Sequence, residues 1–326
     1  MKIRSIALVG VAGLSLSAAM LGSANAEPNG APTYRALSGV GSDTTQEVVN
    51  GLSDVIVGSD GTKLVGSYNA TGGGNIQTKA DAKCSIPRPN GSGAGRTALL
   101  NSLAPGSATA GCIDFSRSSS LNLAATPAGQ GLTYIPFAVD AVTYATAAGS
   151  TIPRNLTKDQ LKAIYQCDPS TASIKPLLPQ AGSGTRAFWL AQLGLTETTK
   201  GSCVADTVNG VSIQEHDGRV LTAPDQIVPF SVAQYIAQSF GAITDVRGSA
   251  QLGEVDGIPP VALNTAFGIK RDVYNVVPTA NLTTAPTSDV FVGPSSKVCS
   301  NPTVIQKYGF GLNTNCGSTT NQTPTG

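Results

Sequence analysis

Charge is scarce in this sequence: 13% of its 326 residues are charged, and 21 Lys and Arg oppose 20 Asp and Glu, for a formal net charge of +1. No basic run stands out, which argues against a nucleic-acid groove or a polybasic membrane patch. Aromatic residues make up only 5% of the chain, and there is a single histidine, His216. The six cysteines form no C-x-x-C, so the clustered Cys and His of a zinc site are missing and no metal or other cofactor is expected. Beyond residue 26 no stretch is long and apolar enough to span a bilayer. What remains is a 40% hydrophobic content spread along the chain, enough for a core and too much for disorder. The 37 Gly and 20 Pro point to many short elements joined by turns, and the length suggests two domains.

Residues 1–26 read as a signal peptide. Lys2 and Arg4 form a basic start, Ile6 to Leu21 is apolar and small, and Ala24-Asn25-Ala26 supplies the small-x-small cleavage pattern. A membrane anchor is the competing reading, but Gly and Ser dilute the apolar run, which leads straight into the cleavage site. Cleavage after Ala26 leaves no cysteine there to carry a lipid, so a secreted or periplasmic protein with no lipid anchor is expected. In an oxidising compartment an even cysteine count favours disulfides. Sequence alone allows 15 connectivities. Neighbour pairing (Cys84–Cys112, Cys167–Cys203, Cys299–Cys316) is the most economical, each bridge contributing roughly 3 kcal/mol by restricting the unfolded chain.

One arrangement recurs along the chain: a loop rich in Gly, Ser and Thr that feeds an amphipathic helix. Gly39-Val40-Gly41-Ser42-Asp43-Thr44-Thr45 precedes Gln46, after which Val48, Leu52, Val55 and Ile56 fall on one helical face. Thr157 and Gln160 have capping-box spacing. Gly182-Ser183-Gly184-Thr185 leads into Arg186–Leu190, and Pro229-Phe230-Ser231 opens a helix over 232–240. Strand-like stretches lie between them at 64–68, 134–145 and 272–277. Alternating strands and helices indicate an α/β fold. The first N–H groups of each helix lack internal partners and carry the positive end of the macrodipole. Several such ends converging on a cleft would bind a small oxyanion, although each loop taken singly reads equally as a helix cap.

Taken in order, these loops resemble those of a known family. Residues 39–45, Asn69-Ala70-Thr71-Gly72-Gly73-Gly74-Asn75, Asp114-Phe115-Ser116-Arg117-Ser118-Ser119 and Gly182-Ser183-Gly184-Thr185-Arg186 are similar to the ligand loops of phosphate-binding proteins. These are the extracytoplasmic substrate-binding components of phosphate ABC importers. Tyr134–Val139 resembles that family's crossover into its second lobe, and Asn155–Tyr165 the helix that follows. The resemblance runs with gaps over residues 35–315. It implies a two-lobed type II periplasmic-binding-protein fold, with mixed sheets flanked by helices and a cleft between the lobes. The lobes are expected at 33–138 plus 240–316 and at 139–230, joined by crossings near Pro136–Ala145 and Ile227–Ser231, with a disordered tail at 317–326.

The same resemblance implies a ligand set. Asp43 and Thr44 match the first loop, Thr71 the second, Ser118 and Ser119 the third, and Ser183, Gly184 and Thr185 the Ser-Gly-Thr run. Two positions depart from the family pattern: Ser119 stands in the slot of an Asp that accepts the proton of hydrogen phosphate, and Pro179 in that of an Arg. Asp43 is then a candidate acceptor or simply a helix cap. Arg117 and Arg186 are candidate cations or structurally paired residues. The function expected is an exported, monomeric solute-binding protein that captures phosphate or a similar oxyanion for an ABC permease, with no nucleic acid as partner. The alternatives are a scavenger without a transporter and a secreted hydrolase. For the hydrolase, Ser183 lacks G-x-S-x-G spacing, and His216, in Gln214-Glu215-His216-Asp217-Gly218-Arg219, reads as a solvated loop residue.

Overall fold

The structure, a computed structural model, describes residues 34–261 and 266–326. The expected signal peptide lies outside the described residues. No helix among the described residues is long and apolar enough to cross a membrane.

A nine-stranded mixed sheet organises the chain. Its strands are β1 (Leu37–Gly41), β2 (Val65–Ser67), β3 (Phe115–Ser118), β4 (Leu132–Ala147), β5 (Lys175–Pro176), β6 (Gln226–Ser231), β7 (Ala250–Leu252), β8 (Lys270–Pro278) and β9 (Gly311–Leu312). The order is β2-β1-β3-β8-β4-β6-β5, with β7 and β9 also on β4. β1 runs parallel to β2 and β3, whereas β8, β6, β7 and β9 all pair antiparallel to their neighbours on β4. The helices include α1 (Gln46–Val55), α2 (Ser92–Leu103), α3 (Lys158–Gln166), α4 (Gly184–Gln192) and α5 (Val232–Ser239). Both halves of the Thr157–Gln160 capping box form at the start of α3.

The 16-residue strand β4 is shared by two cores. Up to Ala138 its side chains pack with Val48, Phe115, Val273, Phe291 and Phe310, or with Tyr68, Leu99 and Tyr274. From Ala141 onward they pack with Leu161, Tyr165, Trp189, Phe267 and Ile269, or with Leu177, Ile213 and Phe230. A strand whose residues are buried on both faces reads as a continuous apolar run rather than an alternating one. That is how most of Leu132–Ala147 reads, with Thr133, Thr143 and Thr146 its uncharged polar residues and Asp140 its one charge. β7 pairs with residues 145–147 of β4, and Phe267 and Ile269 pack in the second core. Ala242 and Ile243 pack against the first core, so the chain touches both cores after residue 240 before β8 carries it across. α5 touches both cores, Ala233 the first and Val232 and Ile236 the second.

The six cysteines pair as sequence neighbours, with Cα–Cα distances of 5.1 Å for Cys84–Cys112 and 5.9 Å for both Cys167–Cys203 and Cys299–Cys316. The tail is a correction. Residues 317–326 are ordered along the start of β4: Leu132 N donates to Thr323 Oγ1 at 2.9 Å, Tyr134 N to Asn321 O at 2.8 Å, and Thr126 N to Pro324 O at 2.9 Å. Composition suggested disorder because the tail has no large apolar side chain, but backbone pairing to an open strand edge needs none. Deleting residues 317–326 should destabilise the protein by about 3 kcal/mol or more in urea unfolding, since these bonds and those from Thr323 N to Leu132 O, Gly326 N to Thr126 O, Gly317 N to Pro136 O and Gly293 N to Gly317 O are lost. An unchanged unfolding midpoint would show that the tail is a passive rider.

Candidate functional site

The carboxyl end of β1 opens into a loop that is held from beneath. Arg117 on β3 is fully buried and donates through Nε to Ser42 O at 3.1 Å, through Nη1 to Gly39 O at 3.3 Å and Ser67 Oγ at 2.9 Å, and through Nη2 to Gly41 O at 3.4 Å. It braces the first loop through its carbonyls. Above it, Thr44 N donates to Asp43 Oδ1 at 2.9 Å, and Gln234 of α5 donates to Thr44 O at 2.5 Å. Ser42 Oγ donates to Ser119 Oγ at 3.1 Å, and Ser119 N to Ser92 Oγ at 3.0 Å. Ser118 Oγ turns to Ser120 O at 2.7 Å.

From the second core, Ser183 caps α4, its Oγ accepting from Arg186 N at 3.0 Å. This leaves the Thr185 amide and hydroxyl at a helix N-terminus facing the first core, and Thr44 Oγ1 and Thr185 Oγ1 lie 3.2 Å apart. Gly184 allows the approach: a Cβ there would come within 2.3 Å of both Ser92 Oγ and Ser119 Oγ. Arg186 points elsewhere. Its Nε and Nη2 each lie 2.6 Å from Glu197 carboxylate oxygens, and its Nη1 is 3.0 Å from both Asp206 Oδ2 and Pro179 O. Thr71 is exposed in the Gly-rich turn, lining an open cleft of about 480 Å³ with Arg88, Asn90 and Gln214. The structure thus gathers Asp43, Thr44, Ser119, Ser183, Gly184 and Thr185 at one seam, and leaves Thr71, Arg117 and Arg186 with other partners or outside it.

Two residues at the seam carried no sequence signal that singled them out. Arg271 on β8, 5% exposed, donates to Asp140 Oδ2 from Nε at 3.1 Å and Nη2 at 2.8 Å, and from Nη2 to Thr185 Oγ1 at 2.9 Å. Its Nη1 is buried with no partner. Flanked by Lys270 and Asp272, it looks in sequence like part of a solvated charge cluster. Glu215, 2% exposed, lies at the centre of the donors: it accepts from Thr44 Oγ1, from Thr185 Oγ1 at 3.0 Å and from Thr185 N at 3.4 Å. The polar run around it reads as a surface turn, yet it packs into the seam.

Asp43 and Glu215 are paired acids. Burial, reinforced by the nearby Glu215 charge, pushes the Asp43 carboxyl well above the usual carboxylate range. Burial works to raise Glu215 too, but the hydrogen bond with Asp43 and the Arg271 charge hold it below its ordinary value. Of the two, Asp43 is the acid that burial and its neighbour's charge bias towards the neutral form, and its Oδ2 is buried with no hydrogen-bond partner. His216 is also a correction: it is half-buried, with Nδ1 enclosed and unpartnered, and burial pushes its imidazole down to about 4 against the pull of Glu215 and Asp217. Its backbone is left-handed, φ 48°, which an isolated surface turn would not need from a histidine.

An unfolded chain carries an ordinary imidazole, titrating near about 6.5, so between that value and 4 the unfolded state binds the extra proton. The neutral His216 contribution is complete above the unfolded value and is lost as pH falls through the folded one, about 3 kcal/mol in all. In His216→Asn, which tolerates the left-handed backbone, the stability deficit relative to wild type should shrink by about that amount between pH 6.5 and 4 in urea titrations. A deficit independent of pH would mean that the imidazole stays hydrated.

Comparison with known proteins follows the same lines. A family model described as the PBP superfamily domain matches residues 26–269. No curated protein sequence matches the chain. Among solved structures, the fold is similar to a phosphate ABC transporter substrate-binding protein from Clostridium perfringens with bound phosphate. The TM-score is 0.55 at 16% identity, covering 85% of this chain and 99% of that one. It is also similar to an ABC-type phosphate transport receptor from Vibrio cholerae, with a TM-score of 0.54 at 15% identity, covering 85% of this chain and all of that one (100%). At such identities the likeness is one of fold, but the family model spans most of the sequence, and the chain belongs to the PBP superfamily.

Proposed function

We propose that this protein is an exported solute-binding protein that captures a small oxyanion, phosphate foremost, and serves an ABC importer. One observation carries the reading. The hydroxyls of Thr44 and Thr185, the Thr185 amide at the start of α4 and the guanidinium of Arg271 converge on one point at the seam between two cores. Neutral donors at a helix N-terminus, with one fixed cation, form an anion site that needs no excess of positive charge overall. Arg271 answers the departure at Pro179, since it supplies the charge that Arg117 and Arg186 spend on carbonyls and carboxylates. Asp43, whose carboxyl is biased upward by burial and whose Oδ2 has no partner, is the carboxyl nearest the departure at Ser119 and the candidate acceptor of a protonated ligand's proton, in its ionised form. Both solved relatives named above bind or transport phosphate by their descriptions, in keeping with that ligand.

A binding role is favoured over hydrolysis by the state of the would-be catalytic groups. Ser183 Oγ is committed to capping α4, and His216, the only histidine, has an imidazole Nδ1 with no partner. Among the described residues no serine hydroxyl is therefore paired with the imidazole, and the hydroxyls that do meet a carboxylate, those of Thr44 and Thr185 on Glu215, are held with it in a buried donor cluster. The two lobes of the proposed mechanism are the two cores, with β4 and β8 crossing between them near Asp140 and Arg271. Capture buries the anion, so every oxygen must find a donor, which is why many small donors suit it better than a few large ones.

Calorimetric titration of residues 27–326 with phosphate and with sulfate is the direct test, with phosphate heat expected to exceed sulfate heat. No heat with either, from protein shown to be folded and stripped of anions, would sink the oxyanion reading. A variant probes capture by closure. At Gly91, φ +100°, a Cβ would sit 2.6 Å from the Gly182 carbonyl oxygen across the seam, where Gly93 N also donates to Gly182 O at 3.0 Å. Gly91→Ala props that contact open and should weaken phosphate binding about tenfold or more while touching no donor. Unaltered affinity would argue that the cores need not meet to hold the ligand.

A further inference from the structure

The donors assigned to an anion already face one within the chain. Glu215 takes the Thr44 hydroxyl, the Thr185 hydroxyl and the Thr185 amide, the same groups that an oxyanion at this seam would use. The position is built by its neighbours. Ile213, fully buried, anchors the segment in the second core, and Gln180 N donates to Ile213 O at 2.9 Å. Asn90 of the first core donates to Gln214 Oε1 at 2.8 Å, and Gln238 of α5 donates to His216 O at 3.0 Å. The left-handed residue His216 turns the chain immediately after Glu215, so the carboxylate is aimed inward from a short loop tethered from both cores.

We propose that Glu215 is a tethered competitor for the anion site, a specificity and gating residue that an incoming oxyanion must evict. The inference rests on the oxyanion reading above. Three features of the seam carry it. The carboxylate satisfies the converging donors, so a second anion cannot use them while Glu215 stays. The seam gives it no room to shift aside in place, because Gly184 already lies against Ser92 and Ser119 and Thr44 against Thr185. The tethers of the 213–217 loop, beyond the Ile213 anchor, are hydrogen bonds to side chains or carbonyls that water can replace, so withdrawal costs no core packing. Selection follows from the competition. A ligand with one or two oxygens offers no more than the carboxylate it displaces. A tetrahedral oxyanion offers further oxygens, which can also reach Arg271 Nη1, the buried donor that Glu215 leaves unpartnered.

The test compares wild type with Glu215→Ala and Glu215→Gln, each checked for native near-UV circular dichroism. The Gln variant keeps the volume and a hydrogen-bonding group should the Ala variant fold poorly. Calorimetry with inorganic phosphate should give affinities at least about tenfold tighter in Glu215→Ala than in wild type, with Glu215→Gln between them. Thermal unfolding in excess sodium acetate or formate, with sodium chloride as the ionic-strength control, should raise the midpoint of Glu215→Ala and leave wild type unmoved. The free carboxylate then takes the place of the missing one. Equal or weaker phosphate binding in the variants overturns the proposal, and weaker binding would make Glu215 a ligand-contacting acceptor instead. If no form binds phosphate, the phosphate reading fails separately. The acetate arm then decides alone: a selective upshift sustains the competitor, and its absence overturns it.

Discussion

The buried ion pair between Asp140 and Arg271 is the interaction on which the rest of the seam depends. Asp140 is the one charged residue in the long apolar strand β4, and register places it opposite Arg271 on β8. Its two oxygens accept from Ser231 Oγ at 3.0 Å, Ala233 N at 3.1 Å and two nitrogens of Arg271, so the carboxylate also caps the start of α5. A buried pair of this kind gives little stability relative to an apolar replacement, but removing one partner costs about 3–5 kcal/mol because the other charge is stranded. Its value here is positional. It fixes where the two crossing strands pass between cores, and it holds a guanidinium rigidly against Thr185. α5 in turn reaches Thr44 through Gln234, so one carboxylate sets the relative placement of donors from three separated parts of the chain.

The chemistry of the seam follows from how charge is rationed there. Asp140 and Arg271 offset one another, and of the two remaining acids Asp43 is pushed towards its neutral form while Glu215 is held towards its ionised one. Hydroxyls and amides surround that charge, and the near-neutral sequence is in keeping with such a site. Arg117 and Arg186 show the contrast. Each is fully employed in structure, one drawing together carbonyls at the end of β1 and the other tying α4 to two partly exposed carboxylates.

Much of this was legible in the sequence where the cause is local. Helix starts announce themselves through Thr157 with Gln160 and through Ser183, because a cap and its partner lie within one turn. The long crossing strand announces itself as a largely apolar run, whereas β1 and β3, rich in Gly and Ser, read as parts of loops. The helix Ser92–Leu103 escaped because its first turn is Gly and Ser, and only Leu99 and Ser102 of its last turns are buried. Long-range partnership was the other blind spot. Arg271 lies 131 residues from Asp140, and Glu215 lies 171 from Thr44. In each case the flanking residues are charged or polar, so local pattern argues for solvent, and only the register of distant strands or the path of a loop buries the group. The tail misled for a related reason: composition reports on side chains, whereas strand pairing uses the main chain.

The continuity of β4 has a mechanical consequence. In many two-part proteins the parts are joined by loops, and motion is a swing about a few free dihedrals. Here one strand passes from the first core into the second, with β8 paired alongside it from Leu132 to Ala141 but for one register shift between Val273 and Tyr274. Parting the cores therefore means flexing a laddered ribbon, which resists in proportion to how far it is bent. The joint has the build of a leaf spring with a preferred angle, its most compliant point the register shift beside Phe137.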